Sequence, residues 1–205
     1  MVATTTITKP PRRSSKIPSY LVREVLNGKS LHYKGYKEVL KGTKSIDKIM
    51  GSSSLQAILV NYLLEIIHQN YDRKKYRILA NEAGIHLKHG DNLAGDILIY
   101  EKATLTAEKI NTRYSDVTPY IAVEVDVNID PSDMHEMDYV LEKTQKLIHF
   151  GVTKVLWILS KTQKVIVATP NNPWLIYQWN TDIEIMEGQI FNIATYLEEE
   201  GIEVL

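Results

Sequence analysis

Two acidic residues interrupt apolar β-strand patterns in the middle of this 205-residue chain. Asp96 lies within the run AGDILIY, and Glu124 lies within YIAVEVDV, with Asp126 two residues further on. Side chains two apart on a strand share one face, so we expect Glu124 and Asp126 to be neighbours. Neighbouring carboxylates repel unless water screens them or a cation lies between them. At a solvent-exposed edge such a face is ordinary, whereas in the middle of a sheet it indicates a bound metal ion.

A helix predicted over residues 133–150 supplies a candidate cation. Its apolar stripe is formed by residues at helical spacing: Val140, Thr144, Leu147 and Ile148. Lys143 lies at the edge of this stripe, whereas Lys146 points further toward solvent. Lys143 is therefore best placed to reach over a sheet while its stem packs on apolar surface. The residues alone leave two interpretations open, a site made of Asp96, Glu124 and Lys143, or a solvated acidic edge with ordinary surface lysines.

Composition excludes several classes of chemistry. The chain has no cysteine, which excludes disulfide scaffolds, cysteine-ligated zinc, iron–sulfur clusters and thiol catalysis. It has 24 Lys and Arg against 25 Asp and Glu, so we do not expect a strongly basic, coat-like nucleic-acid binder. The balanced charge is still compatible with an enzyme that touches phosphates along one groove. No apolar run reaches the roughly 18–20 residues of a membrane helix, so we expect no membrane partner. The absence of cysteine fits an intracellular, cytoplasmic protein best.

The length and the composition, 44% hydrophobic and 24% charged, predict one folded domain over residues 18–205. Residues 1–17, which precede this domain, are predicted to form a disordered basic arm. The alternative is that this arm helps to hold an anionic partner. The following segment, up to residue 50, indicates a helical N-terminal extension. Its expected helices are SYLVREVL, stopped by Asn27-Gly28, then GYKEVLKG, and then IDKIM with Ser45 as its cap.

The rest of the chain predicts one sheet with helices. A long amphipathic helix is expected in SSSLQAILVNYLLEIIHQNY, with Ser53 or Ser54 as its cap. The expected strands are KKYRILA, GIHL, LAGDILIY, TPYIAVEVDVNI, KVLWILS, KVIVAT, WLIYQW and DIEIM. The helix over residues 133–150 should stop at Gly151, and another should close the chain near residues 193–199. This order of elements predicts a mixed α/β or α+β domain.

Three of these segments resemble the PD-(D/E)XK nuclease superfamily in their order and spacing: GDILIY, PYIAVEVDV and EKTQKLIHFGVTKVLWIL. They are most similar to its restriction-endonuclease branch called Uma-two. In that branch, a strand that carries the motif Pro-Asp precedes a strand that carries "vvEV". A helix that contains a lysine follows, and it leads into Gly-Val and a strand that begins with Tyr-Trp. Gly151-Val152 and the run VLWI match that ending, and the similarity covers about residues 55–169.

The resemblance implies a restriction-endonuclease-like α/β fold, with a central mixed β-sheet flanked by helices. It also implies an endonuclease that hydrolyses DNA phosphodiester bonds with Mg²⁺, or with Mn²⁺ as a substitute. Asp96 and Glu124 stand at the family's acidic positions, and Lys143 stands at the position of its helix lysine. Asp96, Glu124 and the carbonyl of Val125 would then hold the metal ion, because hard oxygen ligands suit Mg²⁺. Lys143 would position the attacking water and offset negative charge.

Two positions depart from the family's pattern. Gly95 replaces the proline before the aspartate, and Asp126 replaces the lysine expected two residues after the acid. Asp126 is either an accessory carboxylate of the metal shell or a sign that activity has drifted. Glu82, just before the aspartate strand, is either a further carboxylate of the site or a surface acid.

Two rival functions stay open beside the nuclease. One is a non-catalytic nucleic-acid- or partner-binding domain of the same fold. The other is a structural homodimer with WLIYQW and DIEIM at its interface. A homodimer is also what the resemblance implies for a nuclease, so dimerisation by itself does not separate the two.

Overall fold

The N-terminal part of the chain begins with a β-hairpin in this computed structural model, which describes residues 17–204. The arm expected over residues 1–17 lies outside the described residues except for Ile17. The helix predicted in SYLVREVL is wrong, since one 3-10 turn leads into strand β1 (Val22–Leu26), which pairs antiparallel with β2 (Lys29–His32). Asn27 and Gly28 both have positive φ, as a two-residue hairpin turn requires, so this pair joins two strands rather than ending a helix.

Three helices follow the hairpin as predicted. They are α1 (Tyr36–Leu40), α2 (Asp47–Met50) and the long α3 (Ser54–Asn70). The Ser53 side chain caps α3 by accepting a hydrogen bond from the Gln56 amide. Ser45 is not the cap of α2, because Ile46 occupies that position and makes no side-chain cap bond. The N-terminal extension is therefore a hairpin followed by short helices.

A mixed sheet occupies the middle of the molecule. Its remaining strands are β3 (Tyr76–Lys88), β4 (Asp91–Glu101), β5 (Ile121–Val125), β6 (Lys154–Leu159), β7 (Lys164–Ala168) and β8 (Leu175–Gln178). The strand order is β2-β1-β4-β5-β6-β7-β8, and β3 pairs with β4. Strands β5 and β6 are parallel and the other pairs are antiparallel. Helix α4 (Glu136–Phe150) connects the parallel pair and ends at Gly151 as predicted.

The C-terminal part contains a second, small sheet that the sequence predicted only in part. Strand β9 (Ile183–Met186) was expected, and it pairs with an unexpected β10 (Gln189–Phe191). Helix α5 (Ile193–Glu199) closes the fold at the predicted position. No helix in the described part of the chain is long and apolar enough to cross a membrane.

Apolar side chains cover both faces of the main sheet. On one face, α3 contributes Leu59 and Leu63 to a core that also contains residues of α5 and β9. On the other face, α4 contributes Val140 and Leu147. All five residues of β5 are buried, so Glu124 lies in a central strand and not at a solvated edge. Burial therefore excludes the solvated acidic edge that the sequence pattern left open for Glu124.

Candidate active site

Asp96 lies where the β3–β4 ladder is interrupted by a bulge. Asn81 and Glu82 of β3, both with positive φ, stand opposite the single residue Asp96 of β4. The adjacent Gly95 is tightly packed, because a Cβ there would lie 2.4 Å from Leu98 Cδ2. A side chain at position 95 would therefore force the Leu98 side chain or the strand to shift.

Asp96 and Glu124 lie on adjacent antiparallel strands. The ladder pairs Ile97 with Val123, and the next step along both strands reaches Asp96 and Glu124. Asp96 Oδ2 accepts a 2.7 Å hydrogen bond from the Val125 amide, which fixes the carboxylate beside the Glu124 peptide. Both acids are buried. The structure thus brings the two predicted acids together.

Lys143 reaches the same place from α4. Its side chain is buried, and its Nζ donates hydrogen bonds of 2.9 Å to Glu124 Oε2 and 2.9 Å to Glu24 Oε1. The carbonyl of Ala94 and the hydroxyl of Tyr139 lie at 2.6 and 3.2 Å. By contrast, Lys146 pairs with Asp91 at 2.8 Å and stays partly exposed. The helical phase predicted from the sequence is confirmed.

Glu24 is a component of this cluster that sequence reasoning missed. Besides Lys143, its carboxylate accepts hydrogen bonds from the Tyr139 hydroxyl at 2.7 Å and from the Ala94 amide at 2.9 Å. It was missed because its segment was interpreted as a helix. The available signal was the Asn-Gly turn, which predicts a hairpin in which Glu24 and the buried Leu26 share one strand face.

Burial and charge determine the ionisation of the cluster. Burial raises the pKa of Glu124 to about 8, with Asp96 and Glu24 adding repulsion and Lys143 opposing the shift. Burial also raises the pKa of Asp96, whereas the hydrogen bond from the Val125 amide and the charge of Lys143 act to lower it. For Lys143, burial alone would lower the pKa, but the carboxylates of Glu124 and Glu24 hold the pKa well above its ordinary value. Lys143 thus keeps its proton, beside two acids whose neutral forms are favoured by burial.

The oxygen atoms of the site fit a hard metal ion. Glu124 Oε1 is buried and has no hydrogen-bond partner in the described structure. No group of three or more His, Cys, Asp and Glu side chains that could hold a metal occurs within residues 17–204. An ion held by Asp96 and Glu124 would therefore need the main-chain carbonyl of Val125 and water as further ligands, a set that suits Mg²⁺.

Gln56 is a second component that the sequence reasoning missed. Its Nε2 donates a 2.8 Å hydrogen bond to the Val125 carbonyl, and its Oε1 accepts one from Asn128 at 3.0 Å. A carbonyl has two lone pairs, so this bond orients the Val125 oxygen without excluding a metal. The available signal was the helical phase, since Gln56 lies on the buried side of α3 with Leu59 and Leu63.

The two candidate accessory acids have other partners. Glu82 accepts a 2.9 Å hydrogen bond from Arg23. The expectation that Asp126 shares a strand face with Glu124 is wrong, because β5 ends at Val125 and Asp126 has a φ of 61°. Its carboxylate instead accepts 2.7 Å hydrogen bonds from the amide and the hydroxyl of Ser160. Asp126 thus joins the ends of β5 and β6.

A cleft of about 520 Å³ opens in front of Asp96 on the α3 side of the sheet. Its walls come from three places: the α2–α3 connection, one side of α3, and the β3 bulge. The lining residues are Met50, Gly51, Ser52, Gln56, Ala57, Val60, Asn61, Leu64, Ala80, Asn81, Glu82 and Asp96. Of the two clustered acids, Asp96 lines this cleft and Glu124 does not.

Comparison with known proteins supports the fold. No protein-family model and no curated protein matches the sequence. Among solved structures, the chain is similar to a protein from Anabaena variabilis ATCC 29413 described as "a putative nuclease belonging to DUF820". The TM-score is 0.63 at 11% sequence identity, and the match covers 88% of this chain and 92% of that chain. The predicted fold class, a restriction-endonuclease-like α/β domain with a central mixed sheet, is confirmed.

Proposed function

We propose that this protein is a Mg²⁺-dependent endonuclease that hydrolyses phosphodiester bonds of DNA. The observation that carries the proposal is the buried Lys143, hydrogen-bonded to Glu124 beside Asp96 where the β3–β4 ladder is broken. Two acids and a lysine in this arrangement agree with the PD-(D/E)XK resemblance of the sequence. The structural neighbour's description as "a putative nuclease" supports the same function.

Each residue has a chemical role in this proposal. Asp96, Glu124 and the Val125 carbonyl would hold Mg²⁺, or Mn²⁺ in its place. The ion, when bound, lowers the pKa of a coordinated water and stabilises charge on the phosphoryl oxygens. Lys143 keeps its proton and offsets the negative charge that develops on the phosphate. Gln56 holds the Val125 carbonyl in place.

Two exposed lysines near the end of β5 suit contacts with the DNA backbone. Lys34 and Lys161 line a second pocket, of about 400 Å³, together with Asp126. Their amino groups lie 3.8 and 3.9 Å from the Glu136 carboxylate, with side chains 60% and 84% exposed. Such exposed charges can bind phosphate at little desolvation cost. Replacing both lysines should weaken DNA binding and reduce its dependence on salt concentration.

A non-catalytic nucleic-acid- or partner-binding domain is the second candidate function. It is favoured by the position of Glu124, which does not line the cleft and whose Oε2 already binds Lys143. In this alternative the buried cluster only stabilises the fold. Asp126 does not favour the non-catalytic alternative, because its contacts with Ser160 give this residue a structural role.

We also propose that two copies associate through the β8 edge. Strand β8 ends the strand order of the main sheet, carries no charged residue, and exposes Leu175 (50%) and Ile176 (66%). Unprotected, uncharged edge strands pair readily with another chain. Light scattering should give the mass of a dimer for the natural chain and of a monomer for Ile176→Lys. A monomeric natural chain at micromolar concentration would contradict this association.

The central experiment combines cleavage with metal binding. Supercoiled plasmid and single-stranded DNA are incubated with the protein and Mg²⁺ or Mn²⁺, beside Asp96→Ala, Glu124→Ala and the exposed control Glu198→Ala. We expect cleavage by the natural chain and by Glu198→Ala only. Mg²⁺ should raise the melting temperature of these two proteins but not of Asp96→Ala. A folded, DNA-binding natural chain that cuts neither substrate would favour the non-catalytic alternative.

A further inference from the structure

The cleft in front of Asp96 has a composition unlike that of a phosphate site. No Lys or Arg belongs to its lining within the described residues, and its two charged residues are the acids Glu82 and Asp96. A phosphate group finds no cation among these walls, because Arg23 lies outside the lining and already pairs with Glu82. The cleft is therefore suited to an uncharged part of a ligand.

The neutral walls combine apolar surface with amide groups. Ala57, Val60 and Leu64 present one apolar side of α3 to the cleft. The Asn61 Nδ2 donates a 2.7 Å hydrogen bond to Glu65, which leaves the Asn61 Oδ1 as an acceptor. Across the cleft, the exposed Asn81 lies in the β3 bulge. An apolar wall for a flat ring, with amides to bind its polar edge, matches a nucleobase.

We propose that this cleft binds one unpaired nucleobase of the DNA strand that is cut. The inference rests on the proposed nuclease function, because it places the phosphodiester beside the cleft at Asp96 and Glu124. The volume of about 520 Å³ lies within the roughly 300–1,000 Å³ of small-ligand pockets. A paired and stacked base cannot enter such a cleft, so the substrate is single-stranded DNA or a duplex with an unpaired base.

The test measures base binding without cleavage. A single-stranded oligonucleotide with one 2-aminopurine is titrated with the natural chain in EDTA, and the fluorescence of that base is followed. We expect saturable binding, weakened about fivefold in Asn61→Ala through loss of one hydrogen-bond partner. The matched control is Asn70→Ala, since Asn70 is another exposed asparagine of α3 that does not line the cleft. Val60→Trp, which fills the cleft, should weaken binding about tenfold or more, and its melting curve reports whether it folds.

A cleavage assay with Mg²⁺ then separates the two proposals. We expect faster cutting of single-stranded than of duplex DNA, and loss of this preference in Asn61→Ala. If the natural chain cuts both substrates equally and Asn61→Ala binds like Asn70→Ala, the base-binding inference is overturned and the nuclease function stands. If 2-aminopurine binding follows the expected order but nothing is cut, the nuclease function fails and the cleft still binds a base.

Discussion

Lys143 donates a 2.9 Å hydrogen bond to Glu124 Oε2, in a place where the two side chains are only 2% and 5% exposed. Removing both charges from water costs several kcal/mol per ion, which their attraction offsets only in part, and apolar residues of similar volume are often at least as stabilising. Such a pair is therefore weak evidence for a purely stabilising role. Its position beside Asp96, which itself lines the cleft, is what connects the pair to chemistry.

Lys143→Ala should abolish cleavage, whereas Lys146→Ala should leave it near normal. The first change leaves Glu24 and Glu124 buried without their cation, at a cost of about 3–5 kcal/mol in the free energy of unfolding. The second costs less, because Asp91 keeps a hydrogen bond from the Asn27 amide. Plasmid cleavage and urea denaturation measure the two effects. Lys143→Met also removes the cation but keeps the stem of the side chain, so its stability separates the loss of packing from the loss of charge. Loss of turnover in Lys146→Ala alone would contradict the assignment.

Glu24→Gln should lower the rate of cleavage and shift its alkaline limit to lower pH. Glu24 helps to hold the pKa of Lys143 above its ordinary value, so the neutral variant lets Lys143 lose its proton more readily. The Mg²⁺ concentration that gives half-maximal cleavage should stay unchanged, since Glu24 binds Lys143 and is not among the proposed ligands. A pH–rate profile parallel to that of the natural chain would show that Glu24 acts only on stability.

The stability of the metal-free protein should fall as the pH rises through the titration of Glu124. Burial raises its pKa from 4.5 to about 8, so the folded state favours the protonated form. The stabilisation from this group is complete below about pH 4.5 and is lost as the pH approaches 8. Urea denaturation in EDTA should show the natural chain losing stability relative to Glu124→Gln across this interval. Parallel pH curves for the two proteins would exclude a raised pKa.

Gly95→Ala should destabilise the fold by about 1–3 kcal/mol, the usual cost of overpacking. The added methyl group would lie 2.4 Å from Leu98 Cδ2, so either the Leu98 side chain or strand β4 must shift. Gly51→Ala is the matched control, because a Cβ there meets nothing within 4 Å, and we expect a change within about 0.5 kcal/mol. Thermal melts of both variants check the prediction, and equal effects at the two glycines would contradict it.

Asp126→Ala should reduce stability by about 1–3 kcal/mol without affecting Mg²⁺ binding. It removes two hydrogen bonds to Ser160 and places alanine at a positive φ. Asp126→Asn should be much milder, since asparagine tolerates this backbone and keeps an acceptor oxygen. The increase in melting temperature with Mg²⁺ should be the same in all three proteins. A smaller increase in both variants would instead make Asp126 a ligand.

Local patterns in the sequence were sufficient to predict several parts of this fold. Helix α5 has the predicted limits, α4 ends at the predicted glycine, and Lys143 is buried while Lys146 remains partly exposed. These features depend on the 3.6-residue period and on caps, which neighbouring residues determine. Together with the family resemblance, they were enough to select Asp96, Glu124 and Lys143.

Other parts of the site depend on contacts between residues far apart in the chain. Glu24 reaches Lys143 across 119 positions only because β1 pairs with the start of β4. The direction of Asp126 is determined by its backbone and by Ser160, 34 residues later, and not by strand alternation. Alternation predicts which face a side chain takes only while the strand continues. The residues that complete a buried charge cluster were decided by tertiary packing, because each buried charge needs partners from whichever elements meet there.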